Sequence, residues 1–96
     1  MKKTFKLTHE KIKPARLVEE IKHQVKKYVK RERRCSLPEG MDYWDFDCRY
    51  GADADTAEVI HFSTINEHIN KAEAAGYAEF YLEILAHARK RNYTAQ

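Results

Sequence analysis

Residues 26–51, KKYVKRERRCSLPEGMDYWDFDCRYG, hold the transition that decides the fold. A basic run ends at a Leu-Pro-Glu-Gly break, and the segment after the break alternates aromatic residues with aspartates. Pro38 and Gly40 are helix-stop signals, whereas alternation with a period of two is typical of a half-buried strand. The stretch therefore predicts a helix end, a turn and a strand. The strand would bury one face, formed by Trp44, Phe46, Cys48 and Tyr50, and expose the other, formed by Tyr43, Asp45, Asp47 and Arg49.

The sequence before this stretch predicts one strand and one long helix. Residues 3–9, KTFKLTH, place Phe5 and Leu7 on one face and polar side chains on the other, which is the pattern of a first strand. Pro14 suits the first turn of a helix, where its missing N–H costs no hydrogen bond. A helix over about residues 14–34 follows from an apolar stripe at three- and four-residue steps, formed by Val18, Ile21, Val25 and Val29.

The sequence after it predicts a second helix and a last strand. GADADT is an acidic turn, and residues 57–62, AEVIHF, form either a short third strand or an irregular lead into the helix. Thr64 and Glu67 have capping-box spacing and Gly76 is a stop signal, so the helix covers about residues 64–75. EFYLEILA, residues 79–86, alternates as a strand, and a basic tail from about residue 87 is a candidate for disorder.

This order of elements predicts an α+β fold of the ferredoxin-like kind, β-α-β-β-α-β, with two helices on one face of a four-stranded antiparallel sheet. Right-handed crossovers predict the strand order fourth, first, third, second, with the first two strands running one way and the last two the other. A chain of 96 residues, 43% of them hydrophobic, is enough for one compact domain over residues 1–96.

Composition also bears on the compartment and on the cysteines. No segment approaches the roughly 18 apolar residues of a membrane span, and the N-terminus has no apolar signal core, so we expect a cytoplasmic protein that does not enter membranes. Cys35 and Cys48 lack metal or redox spacing and are expected to stay reduced. No cofactor is predicted.

Charge is distributed unevenly along the chain. Residues 1–34 carry 13 Lys/Arg against 4 Asp/Glu, a net charge of +9, whereas residues 35–96 carry 5 against 11, a net charge of −6. On the predicted fold the end of the first helix, the start of the first strand and the end of the last strand meet at one end of the molecule. This basic pole comprises Lys26, Lys27, Lys30, Arg31, Arg33, Arg34, Lys2, Lys3, Arg89, Lys90 and Arg91. The acidic loop with Asp53 and Asp55 would lie at the opposite end.

Asp45, Asp47 and His61 raise the hypothesis of an enzyme with a metal site, because carboxylates are ligands of Mg²⁺ and the second and third strands are neighbours. The opposing interpretation is a solvated strand face, on which alternating aspartates resist edge pairing. The spacing matches no metal motif, so we predict no metal ligands and no catalytic residues.

Six segments together resemble a family of short bacterial proteins known only as a domain of unknown function: MKKTF, KPARLVE, VKKYVKRERR, LPEG, WDFDCR and FYLEILA. The likeness covers nearly the whole chain, and WDFDCR following LPEG is its most specific part. The resemblance implies a bacterial intracellular protein. It implies no activity and no functional residues.

The basic pole predicts a non-enzymatic binding module whose partner is a nucleic acid, RNA ahead of DNA, because clustered Lys and Arg side chains bind phosphates with little dependence on base sequence. Double-stranded and single-stranded ligands both fit the pattern. The alternative is a protein-interaction or self-assembly module, a homo-oligomer included, that uses the sheet face or docks a basic pole on an acidic loop.

Overall fold

The computed structural model describes residues 1–91. The elements are β1 (Lys2–Lys6), α1 (Pro14–Arg33), β2 (Tyr43–Gly51), β3 (Glu58–Ile60), a 3-10 turn (Phe62–Thr64), α2 (Ile65–Ala74) and β4 (Glu79–Arg89). The predicted order of strands and helices is confirmed. Residues 57–62 divide between a three-residue strand and the start of the 3-10 turn. Neither described helix is long and apolar enough to cross a membrane.

The four strands form one antiparallel sheet in the order β1-β4-β2-β3. The predicted strand directions and the pairings of β1 with β4 and of β2 with β3 are confirmed, but the predicted strand order is wrong. The two central strands are β4 and β2, not the first and third. They are also the longest strands, with 11 and 9 residues, whereas β1 has 5 and β3 has 3. Short strands at both edges leave few unpaired backbone groups exposed.

Both helices cover the same face of the sheet. Phe80, Leu82 and Ile84 of β4 are fully buried in the middle of this face. The core around them contains the predicted α1 stripe, formed by Val18, Ile21, Val25 and Val29, and the α2 residues Ile65, Ile69 and Ala72. Strand β2 buries the predicted face, because Phe46 and Cys48 lie in this core while Trp44 and Tyr50 pack against it. The opposite face of the sheet, with no helix on it, is the open face below.

The ends of the elements fix where the charges lie. Trp44 Nε1 donates a hydrogen bond to the Cys35 carbonyl oxygen at 2.9 Å, which holds the end of α1 beside the start of β2. Tyr43 pairs with Arg89, so the end of β4 reaches the same end of the molecule. The acidic loop follows Gly51 at the other end of β2. The predicted tail begins too early, because β4 continues to Arg89; its last residues, 92–96, lie outside the described residues.

Candidate nucleic-acid interface

A groove of about 820 Å³ lies between α1 and the segment formed by the 3-10 turn and the first turn of α2. Four cations of the predicted basic pole line it: Lys26, Lys30, Arg33 and Arg34. They share one side of α1 because residues three and four positions apart are neighbours on a helix surface. Lys22 continues the row toward the start of the helix. The groove therefore gathers the basic face of α1 against a second element.

The four cations of the predicted pole that line the groove form no ion pair with acidic residues in the described part of the chain. All four are exposed, and no carboxylate in residues 1–91 lies within 4.0 Å of their nitrogen atoms. Glu19 is the one acidic residue among the described residues that line the groove. A row of four unpaired cations gives a local positive potential that attracts anions and is screened by salt.

The floor of the groove is apolar and partly aromatic. Val25, Val29 and Ile65 are buried core residues, and Phe62 is half-buried. The Phe62 ring stacks on Phe46, with ring centroids 5.0 Å apart and an angle of 24° between the planes. Arg33 Cζ lies over both rings, 5.5 Å from the Phe46 centroid and 5.7 Å from the Phe62 centroid. These distances are within the range of a cation–π interaction.

The other predicted binding residues on α1 and β1 lie outside this groove. Arg31 Cζ lies 5.6 Å from the Tyr28 ring centroid, and Lys3 Nζ donates a hydrogen bond to Gln24 Oε1 at 3.3 Å. Lys2 is opposite Glu83 on the open face of the sheet. Lys27 is exposed and does not line the groove. The predicted pole is thus divided among different surfaces.

Arg89 belongs to the open face of the sheet and is engaged by two carboxylates. Its Nε lies 2.7 Å from Asp45 Oδ2, and one terminal nitrogen lies 2.9 Å from Asp47 Oδ1. These contacts raise the pKa of Arg89, chiefly through the hydrogen bond to Asp45. The pKa of Asp45 is lowered, first because the backbone N–H of Phe46 donates to it and also because of Arg89.

Lys90 and Arg91 follow β4 and are exposed. The Arg91 backbone N–H donates to Asp42 Oδ2 at 2.7 Å, which ties the chain after β4 to the segment before β2. The C-terminal part of the predicted pole is therefore close to aspartates, unlike the four cations of the groove.

His61 lies close enough to Asp45 to contribute to the lowered pKa of that carboxyl, but its imidazole is engaged by the 3-10 turn. Its Nδ1 lies 2.7 Å from Ser63 Oγ and accepts from the Ser63 N–H, so His61 caps the 3-10 turn. The histidine that contacts Asp47 is His87, with Nε2 3.0 Å from Oδ2. Within residues 1–91, no group of three or more His, Cys, Asp or Glu side chains is placed to hold a metal ion.

Two residues of functional interest were missed by sequence reasoning. Phe62 was expected near the end of a strand, whereas it opens the 3-10 turn and forms part of the groove. His87 was assigned to the tail, although the alternation of β4 could have been followed through Ala86 to place His87 and Arg89 on one strand face.

The fold and the groove together define a small α+β protein with a groove on its helical side that is lined mainly by cations within residues 1–91. The chain belongs to DUF6172, a family of unknown function, which it matches over residues 1–95. The expected membership of a family of unknown function, over nearly the whole chain, is thereby confirmed. No curated protein and no solved structure matches the chain.

Proposed function

We propose that this protein is a non-enzymatic, bacterial cytoplasmic module that binds nucleic acid, RNA ahead of DNA, through the groove between α1 and the 3-10 turn. The observation that carries the proposal is the row of four exposed cations on one wall of that groove, Lys26, Lys30, Arg33 and Arg34, which form no ion pair with any residue in the described range 1–91. Clustered cations gain free energy on binding a phosphate backbone because counterions are released. The apolar floor between them offers contact area for bases.

The test compares two variants that each lose four positive charges. One variant changes Lys26, Lys30, Arg33 and Arg34 to Gln. The matched control changes four exposed cations near the other end of α1 to Gln: Lys6, Lys11, Lys13 and Arg16. Both variants have the same net charge, so a difference between them reports the position of the charges.

Binding to a labelled single-stranded RNA is measured by fluorescence anisotropy across a salt series. For single strands, the slope of log K against log salt is about −0.7 per neutralised phosphate, so loss of four contacts lowers its magnitude by about 3. We expect this change for the groove variant and a much smaller one for the control. Equal losses in the two variants would show that net charge, not the groove, governs binding, and undiminished binding by the groove variant would refute the proposal.

A protein-interaction or self-assembly module is the second candidate, and one observation favours it. The edge strand β3 carries Val59 with 82% of its surface exposed. An exposed β-branched residue on an edge strand can pair with another chain. Light scattering across a salt series should then show an oligomer that Val59→Lys dissociates; a monomer at all salt concentrations and protein concentrations would exclude self-assembly.

A further inference from the structure

We infer that the groove takes an unpaired base of a single-stranded nucleic acid, which stacks on the platform formed by Arg33 and Phe62. This inference rests on the proposed function and specifies the form of its ligand, which the charge distribution leaves open. Three features of the groove carry it: its position between two packed elements, its apolar floor and the placement of Arg33 over two aromatic rings.

The width of the groove is set by two packed elements. One wall is α1 and the other is the 3-10 turn with the start of α2, and the two helices contact each other. The buried side chains Val25, Val29 and Ile65 close the space between these elements at the floor, whereas a nucleic-acid duplex keeps its bases stacked inside, with the phosphates outermost. A duplex can therefore touch only the cations on the rim. A single strand can turn a base into the groove.

Lys22 of α1 donates a hydrogen bond from Nζ to Asn70 Oδ1 of α2, which ties the two helices together beside the groove. Arg33 and Arg34 lie at the other end of the row of cations, at the end of α1. A strand that binds along this row has its phosphates at Lys26 and Lys30 and a base directed at the floor beside Arg33.

The floor provides the contact that a base requires. Unstacked bases bind on aromatic rings and on arginine guanidinium groups, and such stacking tolerates any base because every base has a π-face. Phe46 is buried and packs against the half-buried Phe62, while the exposed Arg33 lies at similar distances from the two ring centroids. Arg33 is thus restrained on one side by the rings and faces the solvent on the other.

The decisive variants keep the charge and remove the stacking surface. Arg33→Lys retains the positive charge but loses the planar guanidinium. The matched control is Arg34→Lys, the same substitution at a neighbouring groove cation that lies over neither ring. Phe62→Leu removes the aromatic ring while keeping an apolar side chain against Phe46. Circular dichroism and thermal unfolding are the checks that each variant is folded.

The probes are a labelled oligouridine, the RNA duplex of the same length and the corresponding oligodeoxythymidine. We expect wild-type protein to prefer both single strands to the duplex. Arg33→Lys and Phe62→Leu should each weaken single-strand binding about five- to tenfold, with the salt slope unchanged, whereas Arg34→Lys should change it by less than about twofold. The fluorescence of a 2-aminopurine placed in the oligouridine should be quenched on binding, and less so in Arg33→Lys.

The outcomes separate this inference from the proposed function. If no probe binds even at low salt, the proposed function fails and the inference fails with it. Stacking on Arg33 and Phe62 is refuted if the duplex binds as tightly as the single strands, or if Arg33→Lys binds like Arg34→Lys and quenches 2-aminopurine as wild type does. In either case the groove takes no base, but the proposed phosphate binding along α1 survives. A preference between the two single strands identifies RNA or DNA as the tighter ligand.

Discussion

Gly51 is the position at which the smallest substitution should do the most damage to the sheet. It ends β2, and the chain returns so closely that a Cβ added there would lie 2.6 Å from Ala57 Cα and 2.9 Å from Ala57 N. Carbon atoms in van der Waals contact are roughly 3.5–4.0 Å apart. The backbone of Ala57 therefore has to move by about 1 Å to accommodate Gly51→Ala.

Two interactions resist that movement. Ala57 is buried, with 7% of its surface exposed, and its carbonyl oxygen accepts a hydrogen bond of 2.7 Å from an Arg49 terminal nitrogen. The pairing of β3 with β2 begins at Glu58 opposite Tyr50, immediately after the clash. Because backbone atoms cannot change rotamer, the β2–β3 connection must open or the pairing must shift. Overpacking of this kind costs about 2 kcal/mol, which lowers Tm by roughly 8–16 °C in a domain of this size.

Gly76→Ala is the control, since it introduces the same methyl group for a different reason. Gly76 has φ +74°, and nothing lies within 4 Å of its added Cβ. The cost is therefore only that of left-handed backbone for a residue with a side chain, about 1 kcal/mol. Urea unfolding gives both free energies of unfolding. If Gly51→Ala is no less stable than Gly76→Ala, the tight approach of Ala57 does not exist in solution and the reasoning is refuted.

Two further predictions concern titratable groups. Burial raises the pKa of the Cys48 thiol to about 11, and Cys48 is 1% exposed. Only Cys35 should therefore react with a thiol reagent such as DTNB in the folded protein. A second fast-reacting thiol in the wild type, or any fast-reacting thiol in Cys35→Ser, would contradict this prediction. Because the pKa of Asp45 is lowered in the folded protein, its stabilising contribution is present above the ordinary carboxyl pKa and is lost as pH falls through the folded value. Asp45→Asn should therefore lower the free energy of unfolding by less than about 1 kcal/mol near neutral pH, since the side chain is partly exposed. The difference from wild type should vanish in acid. A difference that persists in acid would show that the ionised carboxylate is not the cause.

Local sequence patterns predicted the elements and their faces because those depend on neighbouring residues only. The alternation of Trp44, Phe46, Cys48 and Tyr50 located β2 and its buried face, and the α1 stripe predicted the helix side that packs on the sheet. Strand order depends on long-range pairing, which periodicity does not encode. The nearly continuous apolar run FYLEILA in β4 is the sequence signal that favours a central position, since a strand buried on both faces lies in the middle of a sheet.

The candidate site divides in the same way. The cations of α1 were predicted as a group because they share a helix side, and four of them line the groove. The position of Phe62 beside Arg33 could not be predicted, because it depends on a 3-10 turn that directly follows β3. A strand of only three residues is too short for its end to be read from the sequence pattern. The register that places Arg89 beside Asp45 and Asp47 is likewise a property of the paired strands.

The aspartates that follow the basic run in the sequence explain why fewer cations belong to the groove than the sequence predicted for the basic pole. Asp45 and Asp47 lie on the open face, where they engage Arg89, and Asp47 also contacts His87. The groove cations lie on the helical side of the sheet, where no described carboxylate pairs with them. Alternation along β2 is what keeps the two sets apart, because it turns the aspartates away from the face on which α1 packs. Within residues 1–91, the same strand pattern therefore keeps Asp45 and Asp47 away from the groove cations and buries Phe46 against Phe62 and Arg33.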